Sequence, residues 1–388
     1  MTTPPTLDQR IKATLSQDAG RIPVVLGLCG SGRTSLLQRL HGELGPDVSQ
    51  YVNVERTATT PERFLNALTA GSPFIEARPA PATLSPREAF DATLAFFAGV
   101  RRADQGPVTF LLDEVLEFRT FESFPGLRRA LPELLAVIAS TPNRFVVASR
   151  YVTRTERALA SASPQFVVVP MGQIADAELA REVTSRLGPD AGGPETDGAG
   201  AVALARMVSR LSEGRASYAC AIVEAMAALR PHTPDPVAAL AGLLHAQGRV
   251  WSLCEFTYEL RLHRARGYGA LKAILEILAI QEPLTLTEIS KRLGRTPGST
   301  KDYLSWLEDV DLVGSQRKRY SFSDPLMRLW VRLYCRPALP TEDDVAREVQ
   351  AYALSRLPQS EPGPAPQAGG TAEPVQPRRP PSGIIEID

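Results

Sequence analysis

The stretch that decides the fold is "VVLGLCGSGRTSLLQRL", residues 24–40. Val24, Val25 and Leu26 lead into a turn holding Gly27, Gly30 and Gly32, and Leu36, Leu37 and Leu40 then recur at helical spacing. A buried strand, a glycine-rich turn and a helix, in that order, read as a phosphate-binding loop. Glycines let backbone N–H groups turn around a phosphate, and the helix aims its positive end at the same anion. A plain glycine-rich strand-to-helix turn is the bland alternative, and the succession of all three parts weighs against it. The residues expected at the phosphates are Gly27, Cys29, Gly30, Ser31, Gly32, Arg33, Thr34 and Ser35, with Cys29 as a small filler. Thr34 is placed to ligate Mg²⁺ through its hydroxyl. Position 33 is where such a loop carries lysine. Arginine keeps the charge but sets it on a longer, planar fork. Binding is therefore expected and hydrolysis is left open.

A second half of the site lies in "VTFLLDEV", residues 108–115. Its apolar run ends in Asp113, suited to the Mg²⁺ shell, and Glu114, suited to polarise a water as general base. The alternative is an exposed acidic turn. "RFVVAS" (144–149) leads to Arg150, a candidate γ-phosphate sensor if this strand lies between the first and the third. Arg154 and Arg157 follow on "YVTRTERAL"; they fit an exposed helix face, or an arginine finger reaching a neighbouring subunit.

Working outward, five aliphatic runs (22–28, 51–55, 108–113, 144–149 and 165–170) predict a parallel sheet alternating with helices, the α/β class. "TTPERFLNAL" and "FPGLRRALPELLAVIAS" carry helical signals, the first with Thr59 or Thr60 as cap. After residue 173 strand signals vanish, and helical spacing predicts a lid domain broken by the flexible loop "GPDAGGPETDGAG". The expected order is a helical lead-in (1–20), a P-loop ATPase domain (21–172), a helical lid (173–266), a winged helix-turn-helix (267–336), a C-terminal helix (337–357) and a Pro-rich tail (358–388). Thr341 and Asp344 should form a capping box at the start of that C-terminal helix. Eight prolines fall between Pro358 and Pro381, a composition that predicts disorder. The tip "GIIEID" reads as a solvated terminus or a docking peptide for a protein partner.

Lys plus Arg and Asp plus Glu both count 43, so no global field recruits nucleic acid or membrane. No segment approaches the roughly 18 apolar residues of a membrane span, and no signal peptide is evident. The four cysteines are widely spaced, which argues against a zinc site or disulfide framework. A cytoplasmic protein is expected.

In the winged helix, "TPGSTKDYLSWLEDVDLV" is the recognition helix and "GSQRKRYSF" the wing. Ser299, Thr300, Lys301 and Tyr303 are expected to face out, with Leu304 and Leu307 inward and Arg317, Lys318 and Arg319 on the wing. From Lys291 to Arg319 there are seven basic and four acidic residues, a modest excess for duplex DNA. DNA binding and a protein-contact or autoinhibitory role both stay open. Trp306 and Trp330 read as core, and Asp324-Pro325 as a helix start.

The chain resembles the archaeal-type P-loop ATPases near the AAA+ and STAND branches, over residues 20 to 356. The elements carrying the resemblance are "GLCGSGRT", "FLLDE", "ASR" and "RYSFSDPLMRLWVRL". It implies ATP and Mg²⁺ at the loop, a helical lid, and a winged helix that regulates or binds DNA. Carried over, Gly27, Gly30, Gly32, Arg33 and Thr34 would bind phosphate and metal. Asp113 would order Mg²⁺, Glu114 would be the base and Arg150 the sensor. Two positions depart from the family: Arg33, and Ala216 in "SEGRASYACAIV", where the family's lid carries a proline near the adenine. The expected function is a nucleotide-dependent switch, with a possible nucleotide-dependent homo-oligomer. A non-hydrolysing scaffold and a DNA-binding regulator are the alternatives.

Overall fold

The computed structural model describes residues 7–17, 20–74, 84–188, 199–229, 234–263, 265 and 267–357. The tail with its "GIIEID" tip, and most of the loop at 188–200, lie outside the described residues. Five strands form a parallel sheet: β1 (Ile22–Leu26), β2 (Ser49–Asn53), β3 (Thr109–Asp113), β4 (Arg144–Ser149) and β5 (Phe166–Pro170). Their order is β2-β3-β4-β1-β5. β4 thus lies between β1 and β3, and Leu26 at the end of β1 pairs with Ser149 at the end of β4. The tips of the first, third and fourth strands therefore open onto one edge.

Two strands end earlier than the sequence reading placed them. β1 stops at Leu26 because Gly27 already begins the loop. β2 ends at Asn53, whose side chain accepts from Arg56 N at 2.9 Å and starts the one-turn helix Val54–Thr57. Glu55 is consequently freed from the sheet and points its carboxylate elsewhere.

Successive residues of a strand face opposite sides, so each strand feeds two cores. Val24, Leu26, Phe110, Leu112, Phe145 and Val147 share one side with Phe64, Phe90 and Phe97. Val25, Leu111, Val146 and Ala148 share the other with Ile11, Leu36, Leu37 and Leu40. The first side is aromatic, with Phe97 and Phe110 edge to face at 5.0 Å. Each such buried ring contributes about 1.5–3 kcal/mol. Covering helices include Arg33–Leu44 and Pro61–Ala70, the latter capped by Thr60. Pro86–Gly99, unassigned from the sequence, opens on a Ser85/Glu88 capping box. Within "FPGLRRALPELLAVIAS" the helix is confined to Ala130–Ser140.

Beyond the sheet come the helices Asp176–Leu187, Ala199–Leu211, Ala216–Ala228, Pro236–Leu244 and Arg249–Leu262. Then follow Tyr268–Ile280, β6 (Leu284–Thr285), Leu286–Leu293, Pro297–Asp309, β7 (Val313–Gln316) and β8 (Arg319–Phe322). The three short strands are antiparallel in the order β6-β8-β7, the winged helix-turn-helix architecture. Arg317 and Lys318 form the wing's turn, both left-handed at φ 50° and 63°. Pro325–Tyr334 starts from Asp324, whose side chain accepts from Leu326 N and Met327 N. Glu342–Leu354 has the expected Thr341/Asp344 capping box. One apolar core joins the lid helices to the winged helix, running through Tyr218, Leu275, Leu304, Leu307 and Trp330. Among the described residues no helix is long and apolar enough to cross a membrane.

Candidate functional site

Gly30 and Gly32 adopt φ 77° and 90°, and Gly32 caps the helix Arg33–Leu44 with its backbone alone. These are conformations that side chains rarely tolerate. Gly30 is also crowded, since a Cβ there would sit 2.2 Å from Ser217 Oγ. Ser217 belongs to the lid helix Ala216–Ala228, and its N–H donates to Gly30 O at 3.0 Å. Ala216 lies over the same turn, 3.5 Å from where a Cβ on Gly32 would be. The lid therefore rests directly on the loop.

The expected metal ligands meet. Thr34 Oγ1 donates to Asp113 Oδ2 at 2.7 Å, and Tyr51 OH donates to the same oxygen at 2.9 Å. Burial, and then the Asp113 charge, push the Tyr51 phenol up, so it stays a donor. Asp113 Oδ1, Ser31 Oγ and Ser217 Oγ are buried without partners. Such orphaned oxygens suit a hydrated cation and phosphate oxygens, so the residues fit Mg²⁺ with a nucleotide. Ser35 is exposed on the first turn of the helix, which begins earlier, at Arg33.

The neighbouring residue behaves differently. Arg33 is 7% exposed, and its guanidinium turns back on its own loop. Nη1 donates to Gly27 O and, at 3.0 Å, to Leu28 O, while Nη2 donates to Glu114 Oε1 at 2.8 Å. Glu114 is left-handed at φ 59°, a costly backbone for a non-glycine residue. Its Oε2 accepts from Arg150 N at 3.0 Å and lies 3.2 Å from Arg150 Nε. Arg150 in turn pairs with Glu55. Burial works against the Arg150 charge, yet Glu114 and Glu55 outweigh it and hold the guanidinium above its ordinary range. The candidate sensor and base thus belong to one quartet, Arg33–Glu114–Arg150–Glu55, in which the first three residues are buried and Glu55 is exposed.

The winged helix anchors beside this quartet. Asp311, just past the recognition helix, accepts from Val152 N (2.8 Å), Thr153 N (3.0 Å) and Thr153 Oγ1 (2.7 Å). It caps the helix Val152–Leu159, which follows directly on Arg150. Arg261 of the lid donates to Val310 O and, at 3.1 Å, to Arg150 O, and its guanidinium lies 3.8 Å from Cys29 Sγ. A cavity of about 10 Å³ is enclosed there by Cys29, Arg215, Arg261, Asp311 and Asp324. Arg215 donates to Asp324 at 2.6 Å, tying the lid to the helix start of "DPLMRLWVRL".

Two expectations need correction. Thr300 does not face out: it is fully buried and donates to Thr296 O at 2.9 Å. It lies four residues before Leu304 and seven before Leu307, on the same inward stripe. Tyr303 is half-buried against the core. Lys301, Arg317, Lys318 and Arg319 are exposed, and Ser299 is partly so. Arg154 is drawn in against Asp309 of its own chain rather than lying on an open helix face, whereas Arg157 stays exposed as expected although it too reaches Asp309. Sequence reading missed Tyr51, Glu55, Ser217, Arg261 and Asp311 as parts of the site. Of these, Tyr51 and Glu55 lay within the strand predicted at 51–55, and Ser217 beside the noted Ala216.

Sheet order, loop, acid-tipped third strand and helical lid together define the fold of a P-loop nucleotide-binding ATPase with a C-terminal winged helix. Among solved structures, the Walker-type ATPase of Pyrococcus abyssi matches with a TM-score of 0.61 and 17% identity, over 84% of this chain and 94% of that one. At that identity the likeness is one of fold. The Aeropyrum pernix ORC1 protein, solved in complex with DNA, overlaps more loosely at a TM-score of 0.40 and 16% identity, over 84% and 90% of the two chains. Its activity has no bearing on this chain. No family model matches the sequence, and no curated protein does so significantly.

Proposed function

We propose that the protein is a Mg²⁺–ATP-dependent switch in which the nucleotide site controls how the winged helix is held. The observation that carries this reading is Arg261, which bridges Arg150 O at the tip of β4 and Val310 O at the end of the recognition helix. Any shift of Arg150 toward a γ-phosphate strains the same contacts that seat the winged helix. Gly27, Cys29, Gly30, Ser31, Gly32, Arg33, Thr34 and Ser35 would line the phosphates, and Thr34 and Asp113 would hold Mg²⁺. When bound, the ion would neutralise phosphate charge for in-line displacement. Glu114 would take the proton of the attacking water, and Arg150 would report the γ-phosphate.

The freed winged helix would present Ser299, Lys301 and the exposed Arg317, Lys318 and Arg319 to duplex DNA, where phosphate neutralisation supplies most of the affinity. A nucleotide-dependent homo-oligomer using Arg154 or Arg157 as a finger would first have to release Asp309. The second reading, a nucleotide-binding scaffold that does not hydrolyse, is favoured by the Arg33–Glu114 pair. The test is hydrogen exchange at Val152 and Thr153, the amides that Asp311 holds. MgATP is expected to accelerate it, together with the rest of the winged-helix seam. Bound nucleotide with unchanged exchange there would end the coupling.

A further inference from the structure

We infer that Arg33 is a positioning residue that keeps Glu114 out of use until a γ-phosphate draws its guanidinium away. The inference rests on the reading of the loop as a nucleotide site. Both Glu114 oxygens are taken by protein donors, Oε1 by Arg33 and Oε2 by the Arg150 backbone. A general base needs a carboxylate oxygen within hydrogen-bond reach of the water it activates. Glu114 is 5% exposed, and while Arg33 stays in place its guanidinium occupies the approach to Oε1 that an attacking water would need. The arginine fork is what makes this hold possible. One arm spans the Gly27 and Leu28 carbonyls while the other reaches Glu114, a bridge that a compact lysine ammonium cannot make.

The arrival of a γ-phosphate offers Arg33 a second, doubly charged acceptor. As the guanidinium moves to it, Oε1 is released at the moment a substrate is present. Water oxygen then attacks the γ-phosphorus while Glu114 takes its proton, the bond from phosphorus to the β-bridging oxygen breaks, and ADP leaves with the electron pair. Glu114 returns the proton to the phosphate or to solvent. Position 33, which deviates from the pattern, therefore exchanges a standing catalytic site for one unlocked by its own substrate.

Arg33→Lys, Glu114→Gln and the double variant test this by two independent readouts. In single-turnover hydrolysis Arg33→Lys is expected to be faster than the parent by about tenfold, a part of the roughly hundredfold or more that a general base supplies. The gain should vanish when Glu114→Gln is added. Without nucleotide, the shifts of the two single variants in denaturation midpoint should be clearly non-additive, because they remove the same contact. Intact binding of a fluorescent ATP analogue with an unchanged or slower rate in Arg33→Lys would overturn the inference alone, as would additive midpoints. Failure of parent and variant alike to bind the analogue with Mg²⁺ would overturn the nucleotide reading and the inference with it.

Discussion

Two clusters of arginine and carboxylate lie within one helical turn of each other in sequence, and they differ in almost everything but composition. Around Arg150 three of the four charges are sealed, with Arg33, Glu114 and Arg150 all under a tenth exposed and only Glu55 open to solvent. Around Arg154 and Arg157 the partner is Asp309, and Arg157 keeps 68% of its side chain in solvent. Depth decides what such pairs are worth. A sealed charge has given up its hydration and depends wholly on its neighbours, so removing one partner strands the others. An open pair keeps water as a substitute for whatever is lost. The buried core of the first cluster is therefore one interdependent unit at the phosphate-loop edge of the sheet, and the second is an adjustable seam between the α/β domain and the winged helix.

The sharpest way to break that contrast is Arg150→Ala. It removes the central cation of the quartet, leaving Glu114 with Arg33 and its backbone N–H donor and Glu55 with none of its present partner. A loss of roughly 3–5 kcal/mol is expected in urea denaturation, the range for one partner of a buried pair. A loss below about 1 kcal/mol would mean that water enters the quartet freely and that its depth is nominal.

Asp311→Ala probes the zone between the two clusters. Asp311 is at the edge of burial and satisfies two backbone N–H groups and a hydroxyl of the helix after Arg150. An N-cap loss of about 2 kcal/mol is expected, again from the denaturation midpoint. The distinguishing feature is location. Exchange should rise at Val152 and Thr153 and along the winged-helix face, while β1 and β3 stay protected. Uniform acceleration across the sheet would mean that the seam and the nucleotide domain unfold as one unit.

The same division by range explains what could be read from the residues. The loop and the acid-tipped third strand rest on local periodicity and glycine spacing and were legible, whereas the place of β4 between β1 and β3 entered only as a condition, because no local pattern fixes strand order. The capping box of Thr341 and Asp344, whose partners are three residues apart, was legible too. The Thr300 error was avoidable, since its spacing to Leu304 and Leu307 puts it on the buried stripe. The direction of the Arg33 side chain was not legible, because it is set by Glu114, 81 residues away. Asp311 and Val152 are 159 residues apart, and nothing local marks either as one end of a contact. Arg261 is harder still. An arginine buried within a helix has no periodic signature, and only the assembled tip of β4 shows what it holds.

Arg157→Ala is the smallest effect and the cleanest control on the comparison. Arg154 keeps Asp309 through its own bond at 2.8 Å and stacks within 5.3 Å of the Trp306 ring, so the seam retains its main support. The expected change in stability is within about 0.5 kcal/mol, as for other exposed pairs. Raising the salt concentration should shrink even that, because screening reaches solvent-exposed charges first. The buried Arg33–Glu114–Arg150 core of the quartet should be far less sensitive to the same salt. If Arg157→Ala cost several kcal/mol, or if salt weakened both clusters equally, burial would not be the variable separating them. The seam would then have to be regarded as one unit with the quartet rather than as a separate contact.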